Sequence, residues 1–197
     1  MKSEVSNPVS DTVERDGAND PQRAAARERF IALWGQMGSS WGIPRTMAEV
    51  HALLFLSPEA LNTDDVMERL GISRGNASMT LRALGEWGII RRVHRRGDRK
   101  EYFEAEHDVI RLFRTILRER KRREFDPLLD ELRTCRDLTE GDAGNAATDE
   151  HNRRLDDLLE LLHLVDAITN HVIDTSDEDI LVTARMMLTG LEEEVDA

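Results

Sequence analysis

Apolar residues recur at helical spacing along most of this chain, and the pattern begins near Ala24. Phe30, Trp34, Met37 and Trp41 fall at i, i+4, i+7 and i+11, one face of a helix. Gly42 and Pro44 stop it, because proline lacks a backbone donor and pushes Ile43 towards an extended conformation. A second helix is predicted from about Arg45 to Leu56, with Met47, Val50, Leu53 and Leu54 inward and Ser57-Pro58 at its end. Asn62 reads as the N-cap of a third helix through Leu70, with Asp65 completing the cap and Leu61 as a hydrophobic staple. Gly71 stops that helix, and Ser73 caps a fourth from Arg74 to about Trp87, closed by Gly88. Leu70, Ile72, Ala77, Leu81 and Leu84 are expected to share one core.

After Gly88 the pattern becomes extended. Ile89–His94 and Lys100–Ala105 flank Arg95-Arg96-Gly97-Asp98-Arg99, a Gly-Asp turn between two strand-like runs. Two helices joined by a short glycine-containing turn, then a hairpin with a basic tip, make a winged helix-turn-helix. The order of these elements carries the prediction more than any one of them.

The remainder reads as helical. Asp108 caps a helix with Val109, Ile110, Phe113, Ile116 and Leu117, running on through Phe125, Leu128, Leu129 and Leu132 with a disturbance at Pro127. Residues Thr139–Thr148 read as a loop. Asp149 to about Val172 forms an amphipathic helix, and a last one starts near Ser176 with Ile180, Leu181, Met187 and Leu188. The expected fold is mainly α, a winged helix-turn-helix with a two-stranded wing and flanking dimerisation helices. Its parts are a disordered tail over 1–22, a DNA-binding domain with a leading helix over 23–106, and a helical dimerisation region over 107–197.

Charge sharpens this picture. The 197 residues carry a net charge of −12, which at first argues against nucleic acid. From Arg69 to Lys100, however, nine basic residues face two acidic ones. From Glu104 onward the balance is 12 basic against 25 acidic. One short basic block inside an acidic protein is the footprint expected of a nucleic-acid interface.

Candidate chemistry sits in that block. With Ala77, Leu81 and Leu84 buried, the fourth helix turns Arg74, Gly75, Asn76, Ser78, Met79 and Arg82 to solvent, with Ser73 at its start. A recognition helix inserts its N-terminal turns into the major groove, where Arg suits guanine and Asn adenine. Arg95, Arg96, Arg99 and Lys100 occupy the wing, and arginine at a hairpin tip suits the negative potential of a narrow minor groove. Asp98 is placed to orient the Arg99 guanidinium. The run Arg118–Arg123 wraps its helix and reads as a solvated face.

Trp34, Met37 and Trp41 read first as core or dimer interface; as an aromatic wall they would suit a small cation. The six histidines lack zinc spacing, and lone Cys135 has no thiol partner. No phosphate-binding loop, nucleophile elbow or metal motif appears, so neither an enzyme nor a cofactor is expected. No apolar run is long enough to cross a membrane, and the N-terminus lacks a signal-peptide core; a cytoplasmic protein is expected.

About 65 residues from Gly42 to Glu106 resemble the GbsR-type branch of the MarR transcriptional regulators. The marks are Gly42-Ile43-Pro44-Arg45, Ile72-Ser73-Arg74-Gly75-Asn76-Ala77-Ser78 and Gly97-Asp98-Arg99-Lys100-Glu101-Tyr102. The resemblance implies a dimeric winged-helix regulator, a repressor or activator on a pseudo-palindromic operator in double-stranded DNA. It also implies a wing role for Asp98 and Arg99, and a choline-like osmolyte as a candidate effector. The rival reading is a winged helix that docks another protein, but such a module has no reason to place arginine on both the recognition helix and the wing tip.

Overall fold

The computed structural model describes residues 21–139, 145–176, 178–180 and 182. They divide into two compact units, one comprising residues up to 84 with 90–105, the other 85–89 with residues from 106 on.

The first unit holds α1 (Pro21–Ser40), α2 (Arg45–Phe55), β1 (Leu61–Asn62), α3 (Thr63–Leu70), most of α4 (Arg74–Glu86), β2 (Ile90–His94) and β3 (Glu101–Ala105). Helix α1 starts inside the stretch expected to be a disordered tail. Pro21 opens it, and proline suits a first helical position because the N–H it lacks would be unpaired there anyway. The rest of that expected tail lies outside the described residues. Helices α1 and α2 cross closely at Gly38, where a Cβ would stand 2.6 Å from the Ala48 Cβ. Phe30, Trp34, His51 and Phe55 form a continuous series of stacked rings between the two helices.

The core under α3 and α4 is Val50, Leu53, Leu54, Val66, Ala77 and Leu81, all nearly inaccessible. Leu70 and Ile72, expected in that core, are half-buried at its edge. The two-stranded wing, β2 paired to β3, is joined by β1 into a three-stranded antiparallel sheet in the order β1-β3-β2, with Leu61 paired to Phe103 and Asn62 to Tyr102. Two residues are too few to show alternation. Leu61 and Asn62 announced a staple and a cap, and they supply the strand as well.

The second unit holds α5 (Val109–Arg120), a π-helical turn (Lys121–Phe125), α6 (Asp126–Asp137) and α7 (Ala146–Asp174). The disturbance expected at Pro127 falls just before it. Pro127 cannot donate to the carbonyl four residues back, and the backbone widens there into a π turn. Asn145 caps α7, accepting from the Ala147 amide at 3.0 Å, so this helix starts earlier than Asp149. One face of α7, with Asn152, Leu155, Leu159, Leu162 and Ile173, is buried or half-buried. Another, with Leu158, Leu161, Leu164, Val165 and Ile168, is exposed. Ser176 accepts from the Asp179 amide at 3.2 Å, a cap where the last helix is expected; Leu181, Met187 and Leu188 lie outside the described residues.

Candidate nucleic-acid interface

Helix α3 fixes the start of the site. Asn62 accepts from the Asp64 and Asp65 amides at 2.8 and 3.2 Å, while its own amide donates to Asp65 at 2.8 Å. This capping box is the one read from sequence. Gly71 ends the helix, with its amide donating to Met67. At the start of α4 the Ser73 hydroxyl accepts from the Asn76 amide at 3.3 Å, so its cap role is realised.

Arg74, Gly75, Ser78, Met79 and Arg82 are exposed along one side of α4, while Ala77, Thr80, Leu81 and Leu84 are buried opposite. Met79 is 69% exposed, an apolar side chain held in water on an otherwise polar face. Asn76 differs from expectation in being half-buried, with its Oδ1 accepting from the Thr80 hydroxyl at 3.3 Å. One helical turn separates the two residues, and buried Thr80 draws the amide inward.

The wing is organised by Asp98. Its carboxylate accepts from the Lys100 amide at 2.9 Å and from the Tyr102 hydroxyl at 2.7 Å. These donors, the Lys100 amide first, hold the carboxyl below the usual carboxylate range. The expected bond from Asp98 to the Arg99 guanidinium is therefore corrected: the carboxylate is used by the turn's backbone and by Tyr102. Gly97 closes the turn at φ +87°, a left-handed value that a side chain would strain.

The cations separate into two groups. Arg95 donates to Glu59 at 3.2 Å and to the Ala60 carbonyl at 3.0 Å, with its guanidinium 4.2 Å from the Tyr102 ring centre. Arg91 pairs with Glu104 and Arg92 with Glu101, both across the ladder to β3. Arg74 and Lys100 share Asp64, at 2.5 and 3.1 Å. Lys100 and, next, Arg74 hold the Asp64 carboxyl below its ordinary value. The side chains of Arg82, Arg96 and Arg99 have no hydrogen-bond or ion-pair partner among the described residues.

The run at 118–123 behaves differently. Arg122 and Arg123 pair with Glu119, Lys121 with Asp126 and Asp166, and Arg120 with Glu124. Arg123 also stands 5.4 Å from the Trp87 ring centre. This block is largely neutralised within its own unit.

A model of the MarR family matches residues 41–101, which run from the end of α1 into β3. That stretch is similar to the MarR family. Two curated relatives from Bacillus subtilis (strain 168) carry a similar region. One is a putative HTH-type transcriptional regulator, YvaV, 24% identical over 91 residues, 46% of this chain and 51% of that protein. The other is the HTH-type transcriptional repressor OpcR, 23% identical over 88 residues, 45% of this chain and 48% of that protein. The chain thus spans about half the length of the curated relatives it matches. A crystal structure of a transcriptional regulator superposes with a TM-score of 0.58 at 22% identity, covering 75% of this chain and 95% of that one. That likeness shows a shared fold.

The MarR-type segment brings the α4 face and the wing into one unit, with Asp64 touching a side chain from each. Asp64, Tyr102 and Glu59 were not singled out as site residues from sequence, since all three lie outside the basic block from Arg69 to Lys100. Their signal is the placement of Asp64 beside, but outside, the capping box. Trp34 belongs to the ring series of α1 and α2, Met37 is half-buried on the same helix, and Trp41 is 58% exposed just beyond its end. No group of three metal-ligating side chains occurs among the described residues, and none of their helices is long and apolar enough to cross a membrane.

Proposed function

We propose that the protein is a transcriptional regulator that binds double-stranded DNA as a homodimer, with α4 in the major groove and the wing against the minor groove. One observation carries the reading: among the described residues the side chains of Arg82 on α4 and of Arg96 and Arg99 at the wing lack a hydrogen-bond or ion-pair partner, while most other cations are paired. Cations left open on both elements fit phosphate and groove contacts. Ser73, Arg74, Gly75, Asn76, Ser78, Met79 and Arg82 form the major-groove face of this proposal. Arg95, Arg96, Arg99 and Lys100 line the wing, with Asp98 setting its turn. A protein-docking winged helix gains nothing from these open arginines.

The dimer rests on α7. Leu158, Leu161, Val165 and Ile168 repeat at spacings of three, four and three residues, a heptad stripe that stays exposed although the helix already packs by another face. A second copy of the same stripe covers it. Two winged helices carried in one dimer favour a pseudo-palindromic operator with half-sites on successive turns of DNA. The marks at Gly42-Ile43-Pro44-Arg45 and Gly97-Asp98-Arg99-Lys100 support the GbsR-type branch and, with it, repression in the cytoplasm.

The test is selection of bound fragments from sheared genomic DNA by the purified protein, followed by footprinting. Enrichment of one motif with two half-sites about 10 base pairs apart supports the reading; recovery of no sequence above background overturns it. A choline-like effector would meet Trp34, Met37 and Trp41. Quenching of tryptophan emission by choline, lost in Trp41→Ala, supports that extension, and a flat titration removes it.

A further inference from the structure

We propose that Asp64 is a specificity-determining residue: it keeps Arg74 and Lys100 from acting as indiscriminate phosphate clamps and reserves Arg74 for a base edge. The inference rests on the DNA-binding reading above.

The α3 capping box does not need a carboxylate at this position. Asn62 and Asp65 already complete the α3 cap, and Asp64 contributes only its backbone amide to it. Its side chain is committed elsewhere. One oxygen takes Arg74 Nη2 at 2.5 Å and the other takes Lys100 Nζ at 3.1 Å, joining the first residue of α4 to the base of the wing. All three side chains are substantially exposed, so the trio adds little to stability. It lies instead where a DNA ligand of this surface would approach.

The electrostatic consequence depends on what arrives. Two cations and one carboxylate leave the trio with a single net positive charge. A phosphate meeting Arg74 or Lys100 is repelled by Asp64 and must displace it. The guanine edge carries neutral acceptors, O6 and N7, and is not repelled in the same way. The carboxylate also holds the guanidinium in one place, which lowers the ordering cost of a bidentate base contact. Asp64 therefore penalises the sequence-independent contact more than the sequence-reading one, which is discrimination by an unfavourable element.

The experiment compares wild type with Asp64→Asn, which keeps the side-chain shape and removes the charge. Each is titrated by fluorescence anisotropy with the selected operator duplex and with a random-sequence duplex at several salt concentrations. Asp64→Asn is expected to raise affinity for the random duplex roughly three- to tenfold, and to steepen its salt slope by about one contact per protomer. The operator gains less, so the ratio of specific to random affinity falls. Arg74→Ala in the Asp64→Asn background should remove most of the gain. An unchanged melting temperature would show that the cap is intact. Equal random-duplex affinity and slope in the two proteins, or a higher specificity ratio in Asp64→Asn, overturns the inference. Failure of the wild type to bind either duplex at low salt overturns the DNA-binding reading itself.

Discussion

The Tyr102 hydroxyl donates to Asp98 across the wing turn at 2.7 Å, tying the buried strand β3 to the tip that carries Arg96 and Arg99. The same ring lies under the Arg95 guanidinium. One aromatic side chain thus anchors the wing twice, by its hydroxyl and by its face.

Removing the hydroxyl should therefore loosen the tip without unfolding the sheet. Tyr102→Phe is expected to keep its melting temperature within a few degrees and to weaken DNA binding two- to fivefold, an effect on the order of one ordinary hydrogen bond. Faster amide exchange at Lys100, whose N–H also bonds Asp98, checks the mechanism. Unchanged exchange and affinity would show that the turn is held by its backbone alone.

His51 makes the first unit sensitive to acid. It is buried among Trp34 and Phe55, its Nε2 has no hydrogen-bond partner among the described residues, and burial pushes its pKa down to about 4. In the unfolded chain the ordinary value near 6.5 applies. Between about pH 6.5 and 4 the unfolded state therefore binds a proton that the folded state refuses, and stability falls as pH falls. The full loss is about 3 kcal/mol, from the shift of the pKa between the two states. His51→Phe should flatten that part of the pH–stability curve. Parallel denaturation curves for mutant and wild type from pH 7 to 4.5 would contradict it.

At Gly38 the close crossing of α1 and α2 leaves no room for a methyl group. Gly38→Ala brings a Cβ to 2.6 Å from Ala48, and the helices must move apart. Urea unfolding should show a loss of about 1–3 kcal/mol, although alanine is the better helix former. A gain in stability would mean that the crossing is more pliable than the structure indicates.

Much of this was legible in advance. Asn62, Asp65, Gly71 and Ser73 announce their helix ends by local chemistry, and the i, i+4, i+7 spacing of Ala77, Leu81 and Leu84 separates the inner side of α4 from the outer. What was hidden depends on partners distant in sequence. Strand β1 exists because Leu61 and Asn62 meet Phe103 and Tyr102 about forty residues later. Which arginines are open and which are held depends on Asp64, Glu59, Glu101 and Glu104, and spacing along the chain says nothing of them. Asn76 looked exposed by periodicity, but a bond to Thr80 draws it inward.

The exposed stripe of α7 gives the oligomer its test. Leu161 and Ile168 are each 56% exposed. The double change Leu161→Glu and Ile168→Glu should convert a dimer to a monomer by light scattering at micromolar concentration, with helicity retained. Specific DNA binding should drop at least tenfold, because one winged helix reads too few base pairs. A monomeric wild type would contradict the dimer.

The central claim, that the open cations of α4 and the wing grip DNA phosphates, is tested most directly by the salt dependence of binding. A dimer that neutralises roughly eight to twelve phosphates should show a slope of log affinity against log salt on the order of −7 to −11. The triple change of Arg82, Arg96 and Arg99 to Ala should make that slope markedly shallower. A wild-type slope near zero, or one that the triple change leaves as steep, would contradict the account.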